Sequence, residues 1–456
     1  MAEHSAPPRP ASGSGFPPAG GDRPIGERRT AAIIGIGTAV PPTRLAQDAV
    51  RDLFAVQPGA DRLTRRLIGA AFDQSSIATR HSVLPELATT AGPGDTADAP
   101  AGSAFVDAGD RRILSPPTGV RNDVYVREAP GLFAAAARDA LARSQTDASA
   151  VTHVVTASCT GFFAPGPDFR LVRDLGLRTT VSREHLGFLG CAAALPALRS
   201  AARICAAEPD AVVLVVCAEL CTIHVRASTD PDQIVSSAVF ADGAAAAVVT
   251  AASDPTTPRI DLDRFATAIT DEGESAMGWT IGDHGFEMTL TAEVPRIVGR
   301  EVRAALAPVA GDLLPASGGG ADEHRQSSAA EAAEASSAQA VWAVHPGGRS
   351  ILDRVESACA LAPGALRHSR EVLRDYGNMS SATIVFILQR LLDDPSAVDG
   401  APLVAVAFAP GLTVESARMT VRTGIRQGAH ETDAAAPARP YVADGSRTRA
   451  DAVAVR

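Results

Sequence analysis

The chain has 456 residues, 46% of them hydrophobic, enough to bury one large core or two fused cores of ordinary domain size. Its 42 basic and 52 acidic side chains leave a net charge of −10, which argues against a general affinity for nucleic-acid backbones or anionic membrane surfaces. No apolar run reaches the roughly 18–20 residues of a membrane span, and the opening MAEHSAPPRPASGSGF lacks the apolar centre of a signal peptide, so a cytoplasmic location is expected.

Residues 1–28 are rich in Pro, Gly, Ala and Arg without apolar periodicity and are predicted to be disordered. A buried strand follows in AAIIGIGTAV, and the composition of 86–112 then reads as a surface insertion. VREAPGLFAAAARDALARS predicts a helix, THVVTAS a strand, CAAALPALRSAARICAAE a helix and AVVLVVCAE a strand. Beyond a division near 260, TAEVPRIVGREVRAALAPV predicts a helix, 312–340 a second insertion, GGRSILDRVESACALA a helix, LVAVAFA a strand, and 428–456 a disordered tail. Short β-branched runs alternating with long helices imply an α/β fold. Strands and long helices in both 29–260 and 261–427 make a duplicated architecture plausible, although the halves are too dissimilar in sequence to read as a repeat.

In HLGFLGCAAALPALRSAARICAA, the Gly190–Cys191 pair stands where an extended segment meets a long Ala-rich helix. Backbone N–H groups and the positive end of the helix dipole favour a thiolate there. Gly190 and Ala192 leave room for a thioester carbonyl to approach, which suits acyl transfer. The position also suits a small buried hydrophobe, the usual fate of an intracellular cysteine. Cys205, Cys217 and Cys359 read as packing residues, and no cysteine spacing fits a CxxC pair or a disulfide framework, so all six thiols are expected to be reduced.

AVWAVHPGGRSILDRVE runs from an apolar strand through a turn shaped by Pro346, Gly347 and Gly348, which places His345 where the chain opens onto a cleft. In VLRDYGNMSSATIVFIL, Asn378 precedes a helix, either as an N-cap or as a carboxamide donor, and His345 equally fits a satisfied structural group. Together the three residue types fit a Claisen condensation. The thiol carries an acyl chain, and imidazole and carboxamide N–H groups stabilise the enolate left when a malonyl thioester loses carbon dioxide. No metal or organic cofactor is required.

With TGFFAPGPDFRLVRDLGL, GFLGC, VLVVCAELCTIHVR, AVFADGAAAAVV, HPGGRSILDRVE, YGNMSS and APGLTVE in that order, residues 30–425 resemble a type III polyketide synthase of the chalcone synthase-like group, within the thiolase superfamily. The resemblance implies a thiolase-like αβαβα five-layered fold built from two similar halves. It also implies a homodimer acting on coenzyme A thioesters that enter through a narrow pantetheine tunnel. By the same resemblance Cys191 is the acyl-carrying nucleophile, His345 and Asn378 catalyse decarboxylation and condensation, and Phe240 is the gatekeeper beside the malonyl group. Arg65 and Arg66 are offered as contacts for the coenzyme A phosphates. The chain departs from plant-type members at Ala407–Gly411, where they carry Gly-Phe-Gly-Pro-Gly, and at Cys159, Cys221 and His224, where they place small hydroxyl residues. The plant product therefore does not carry over.

SCTGFFAPGPDF, ELCTIH and MGWTIGDHGFEM are similar to bacterial members that elongate fatty acyl starters to alkylresorcinols or alkylpyrones. A long-chain acyl-CoA starter with malonyl-CoA as extender is expected, with Cys159, Cys221, His224, Trp279, Met288 and Ser380 along or near the cavity wall. The rival within the family is a malonyl-primed tetrahydroxynaphthalene synthase, since a CTGF-type cysteine occurs there as well. Outside it, a thiol hydrolase, a ketoacyl carrier-protein synthase and a non-catalytic scaffold of the same fold stand as alternatives.

Overall fold

The computed structural model describes residues 30–88, 103–107, 109–251, 254, 256–315, 340–424 and 441–442. The 1–28 segment, most of both expected insertions and all of the expected tail but Tyr441–Val442 lie outside the described residues.

The first half supplies β1 (Ala32–Val40), a small ribbon of β2 (Thr43–Ala46) with β3 (Thr79–Ser82), then β4 (His153–Ser158), β5 (Ser182–Gly187), β6 (Val212–Leu220) and β7 (Asp242–Thr250). The second supplies β8 (Arg259–Ile269), the hairpin β9 (Met277–Gly282) and β10 (Gly285–Leu290), β11 (Val341–Val344), β12 (Pro402–Ala409) and β13 (Thr413–Arg422). The strand order is β5-β4-β6-β7-β1 in one half and β8-β13-β12-β11 in the other. They join where Ala32 and Ile33 of β1 pair antiparallel with Asp261 and Ile260 of β8.

The helices are α1 (Gln47–Ala55), α2 (Arg62–Asp73), α3 (Thr118–Arg143), α4 (Pro167–Asp174), α5 (Ala194–Ala207), α6 (Pro231–Val239), α7 (Val294–Ala310), α8 (Arg349–Ala358), α9 (Arg367–Tyr376) and α10 (Thr383–Leu392). Leu195 and Leu198 of α5 and Ile384 and Ile387 of α10 share a central core with Ile33 and Ile36 of β1, Val215 of β6 and Met419 of β13. The outer face of the first half packs on α3 through Phe133, Ala136, Val154 and Val216. The outer face of the second packs on α7 and α8 through Val302, Leu306, Leu352, Val344 and Val406. The layers run helix, sheet, helix, sheet, helix, which is the expected thiolase-like fold.

Local sequence explains this layering. In β12, Leu403, Ala405 and Ala407 face the centre while Val404, Val406 and Phe408 face the outer layer, the period-two alternation of a strand covered on both sides. In α10 nearly every residue from Thr383 to Leu391 is buried, as expected of a helix that is apolar all round. A Cβ on Gly35 would lie 2.6 Å from Ser144 Cβ, and one on Gly37 would strike the backbone of Ala136 and Ala140, so both glycines let α3 lie directly on β1.

Two boundaries differ from the sequence expectation. α3 opens at Thr118, eight residues before the apolar periodicity that predicted it, and carries Pro130 within it. In the 86–112 segment, Phe105 and Val106 are buried in the first half's outer core, with the Arg121 guanidinium 5.6 Å above the Phe105 ring. That part of the segment is anchored and not merely a surface excursion.

Candidate active site

The two central helices start alike. A one-turn 3₁₀ segment, Gly190–Ala192, leads into α5, and another, Ser380–Ala382, leads into α10. The two turns touch, so two helix N-termini converge at the middle of the molecule. Cys191 lies in the first turn and Asn378 two residues before the second. Backbone handedness fixes both: Gly190 has φ +59°, and a Cβ there would sit 2.5 Å from Pro410 Cδ; Gly377 has φ +71°, with Arg80 Cγ 2.9 Å from a Cβ.

Cys191 is 3% exposed, and its Sγ lies 4.0 Å from Asn378 Oδ1. That oxygen accepts the Ser380 N–H at 2.8 Å, which fixes the carboxamide so that Nδ2 is left as a donor, with only a long 3.5 Å contact to Gly347 O. His345 follows β11, its N–H donating to Val406 O at 2.8 Å. Its ring is buried, and neither Nδ1 nor Nε2 has a hydrogen-bond partner among the described residues. Unpaired buried ring nitrogens are costly, which is the usual signature of atoms kept for a ligand.

Cys191, His345, Asn378, Phe240 and Met288 line one cavity of about 360 Å³, otherwise walled largely by apolar groups such as Val239, Leu290 and Phe408. The dry setting disfavours charge on either reactive group. Burial pushes the Cys191 thiol up to about 11, against the smaller opposing pull of the Ser380 hydroxyl, and holds the His345 imidazole down to about 3. The helix-end position predicts a thiolate; in this buried setting desolvation outweighs it.

The remaining expected wall residues divide. Phe240 is held by its carbonyl, which accepts from Arg80 Nη1 at 2.6 Å. Cys159 is buried with its Sγ 3.7 Å from Ser380 Oγ, both within reach of Cys191, and Trp279 Nε1 donates to Cys159 O at 2.7 Å. Cys221, His224, Trp279, Met288 and Phe240 border a smaller neighbouring chamber. The His224 ring is fully engaged: Nδ1 accepts the Phe286 N–H at 3.0 Å, Nε2 donates to Thr160 O at 2.8 Å, and Phe286 stacks on it at 4.3 Å. Arg65 and Arg66 are exposed on α2, outside both cavity walls. α2 packs against α6, whose Asp232 and Val235 reach the cavity rim.

One important residue escaped the sequence reading. Glu219, fully buried at the end of β6, accepts from Cys159 N–H (3.0 Å), Thr160 Oγ1 (2.9 Å) and Ser381 Oγ (2.6 Å). It ties the end of β4 to the turn that carries Ser380. Burial raises its pKa, and its negative charge in turn raises those of Cys159 and Cys191. The available signal was an acid at the end of the apolar run VLVVCAEL, a position where an ionisable group needs buried partners.

Residues 107–255 match the N-terminal domain, and residues 323–423 the C-terminal domain, of the chalcone and stilbene synthases. Bisdemethoxycurcumin synthase of Oryza sativa subsp. japonica is 33% identical over 413 residues, 86% of this chain and 94% of that protein. Probable polyketide synthase 1 of Dictyostelium discoideum is 30% identical over 387 residues, 84% of this chain but 11% of that much longer protein. Among solved structures, the C-terminal type III polyketide synthase domain of Steely1, a type I/III hybrid from Dictyostelium, aligns with a TM-score of 0.71 at 25% identity, covering 86% of this chain and 99% of that one. PKS-I from the brown alga Ectocarpus siliculosus shares the fold with a TM-score of 0.72 at 24% identity, covering 87% and 100%. Both domain matches and the full-length kinship with the rice enzyme place the chain among the chalcone and stilbene synthases: it is a type III polyketide synthase, a transferase that works by decarboxylative condensation.

Proposed function

We propose that Cys191 takes an acyl group from coenzyme A and that His345 and Asn378 drive its extension with malonyl-CoA. Cys191 Sγ attacks the thioester carbonyl, its proton passes to the His345 imidazole, and coenzyme A leaves with that proton. Malonyl-CoA then binds with its thioester oxygen facing a His345 ring N–H and Asn378 Nδ2. Carbon dioxide departs, and the enolate charge is held by these two donors. The carbanion attacks the acyl carbonyl on Cys191, releasing the sulfur and leaving a chain two carbons longer on coenzyme A. The observation that carries this reading is the pair of His345 nitrogens that have no partner among the described residues and are buried in a cavity shared with Cys191 and Asn378. The Phe240 ring orients the malonyl group and keeps water from the enolate. The enzyme works as a homodimer in the cytoplasm, with Arg65 and Arg66 meeting the coenzyme A phosphates.

The starter is a long-chain fatty acyl group and the product an alkylresorcinol or alkylpyrone, a reading supported by the apolar walls of the main cavity. A malonyl-primed reaction yielding tetrahydroxynaphthalene is favoured instead by the small size and polar atoms of the neighbouring chamber. The test is to give purified enzyme malonyl-CoA with and without palmitoyl-CoA and to identify the products by mass spectrometry. Alkylated products that need palmitoyl-CoA support the first reading; efficient naphthalene formation from malonyl-CoA alone overturns it in favour of the second.

A further inference from the structure

The chamber behind Phe240 measures about 60 Å³, and Phe240 and Met288 belong to its wall as well as to that of the reaction cavity. An apolar protein cavity that holds benzene has about 150 Å³, so this chamber admits a group of a few heavy atoms and no ring or long alkyl tail. Three residues in its wall carry a buried hydrogen-bonding atom with no partner among the described residues: Arg80 Nε, Arg226 Nε and Ser236 Oγ. Arg80 and Ser236 are 3% and 7% exposed.

These atoms are not simply the loose ends of disordered side chains. Arg80 Nη1 is engaged by the carbonyls of Ser237 and Phe240, and Arg226 pairs with Glu287 at 3.1 Å and with Phe286 O at 3.2 Å, so each guanidinium is held with its Nε–H left over. Asp242 lies near Arg80 and Glu287 pairs with Arg226, while the buried Arg121 guanidinium close to Arg226 donates to the carbonyls of Pro116, Ile223 and Val225 and has no carboxylate partner among the described residues. Three guanidinium groups therefore surround the chamber on its Arg226 and Arg80 sides, with the Glu219 carboxylate acting on Cys221 at the other.

We infer that this chamber receives the far end of a short acyl group held on Cys191 and accepts a carboxylate there, so that short dicarboxylic acyl thioesters are loaded with their free carboxylate intact. The inference rests on Cys191 as the acyl carrier, and it widens the malonyl-primed reading to short ω-carboxyacyl groups as a class. Loading is a transthioesterification: a bond forms from Cys191 Sγ to the acyl carbonyl, the bond to the coenzyme A sulfur breaks, coenzyme A leaves as the thiol with the proton from Cys191, and the distal carboxylate is unchanged. A carboxylate can accept from both guanidinium N–H groups and the serine hydroxyl. A methyl end leaves all three desolvated without a partner.

The test compares succinyl-CoA with 4-methylpentanoyl-CoA, which match in length and branching and differ in the charge at the far end. Acylation of Cys191 is followed by intact-protein mass spectrometry in the wild type and in the Ser236→Ala and Arg226→Gln variants. The expected result is a succinyl preference of about tenfold or more in the wild type, reduced severalfold in each variant. Equal acylation by both starters, or a wild-type preference that both variants retain, overturns the chamber while leaving Cys191 as the acyl carrier. Acylation by neither starter overturns the chamber, and a parallel arm with palmitoyl-CoA and malonyl-CoA then tests Cys191 by itself: no acylation from any of the four overturns the acyl-carrier reading as well.

Discussion

Phe240 and Asn378 are bridged through their backbones. Asn378 N–H donates to Val239 O at 2.8 Å, Ala241 N–H donates to Asn378 O at 2.8 Å, and the two residues form an isolated parallel pair outside any named strand. The aromatic ring and the carboxamide of one cavity wall therefore ride on one local unit, tied to Arg80 through the Phe240 carbonyl. Each sits at the end of a different element, Phe240 after α6 and Asn378 after α9, so neither can shift without the other.

Loading and extension separate by mutation. Cys191→Ala removes the one thiol that the described residues place in the shared cavity wall and abolishes covalent loading. Asn378→Ala leaves Cys191 and His345 in place, so loading of a radiolabelled acyl group persists while carbon dioxide release from malonyl-CoA falls by about 10²–10³-fold, the usual cost of losing one enolate donor. Acyl label retained on the Cys191→Ala protein, or undiminished decarboxylation by Asn378→Ala, contradicts the assigned roles.

Gly190→Ala should damage the site without touching a reactive atom. The residue has φ +59°, and the added methyl would press on Pro410 Cδ at 2.5 Å. Both effects fall on the turn that aims Cys191, so we expect the melting temperature to drop by several degrees and the acylation rate by tenfold or more, on the order of the penalty for strained left-handed backbone. Unchanged loading kinetics would show that the turn has slack that the close approach of Pro410 denies.

The strongest sequence signals were chemical residues set in apolar or glycine-rich surroundings. GFLGC, WAVHPGG and DYGNMSS each follow a strand or helix at a turn, and the structure brings their Cys191, His345 and Asn378 to one cavity. Interior strands such as β6 and β12 were legible because both faces are covered and their residues are almost uniformly apolar. The edge strand β5, SREHLG, was not, since it is exposed and charged and only its pairing with β4 makes it a strand. The balance of forces on Cys191 was also out of reach: helix-end stabilisation can be inferred from chain order, whereas full desolvation and the nearby Glu219 depend on tertiary packing.

Glu219 gives a measurable handle on that balance. Its charge raises the pKa of Cys191, so Glu219→Gln should lower the thiol pKa and speed iodoacetamide modification of Cys191 at pH 8 to 9. The amide can still accept the Cys159 N–H and Thr160 hydroxyl, and Ser381 can turn to accept from its NH₂ group. Glu219→Ala removes every acceptor and leaves a buried N–H unpaired, a loss of about 1–3 kcal/mol before the cavity is counted. Urea unfolding should rank the wild type above Gln and Gln above Ala; equal stability of the two variants, or slower alkylation of Glu219→Gln, would contradict the network.

Acid stability provides the last test, through His345. Its folded-state pKa is held down to about 3 by burial, against an ordinary value of 6.5. Between these values the unfolded chain binds a proton that the folded chain refuses, so stability rises with pH: the contribution is intact above 6.5 and is lost as pH falls through 6.5 toward 3. His224, held down to about 3 by the same cause, acts in the same direction, whereas Asp242, raised to about 6, acts in the opposite one. Comparing the wild type with His345→Asn cancels those shared contributions. Lowering the pH from 7.5 to 5 should cost the wild type about 2 kcal/mol more in urea unfolding free energy than it costs the variant. A wild-type loss no greater than the variant's would mean that the folded imidazole titrates no lower than the unfolded one, and would contradict the burial argument for His345.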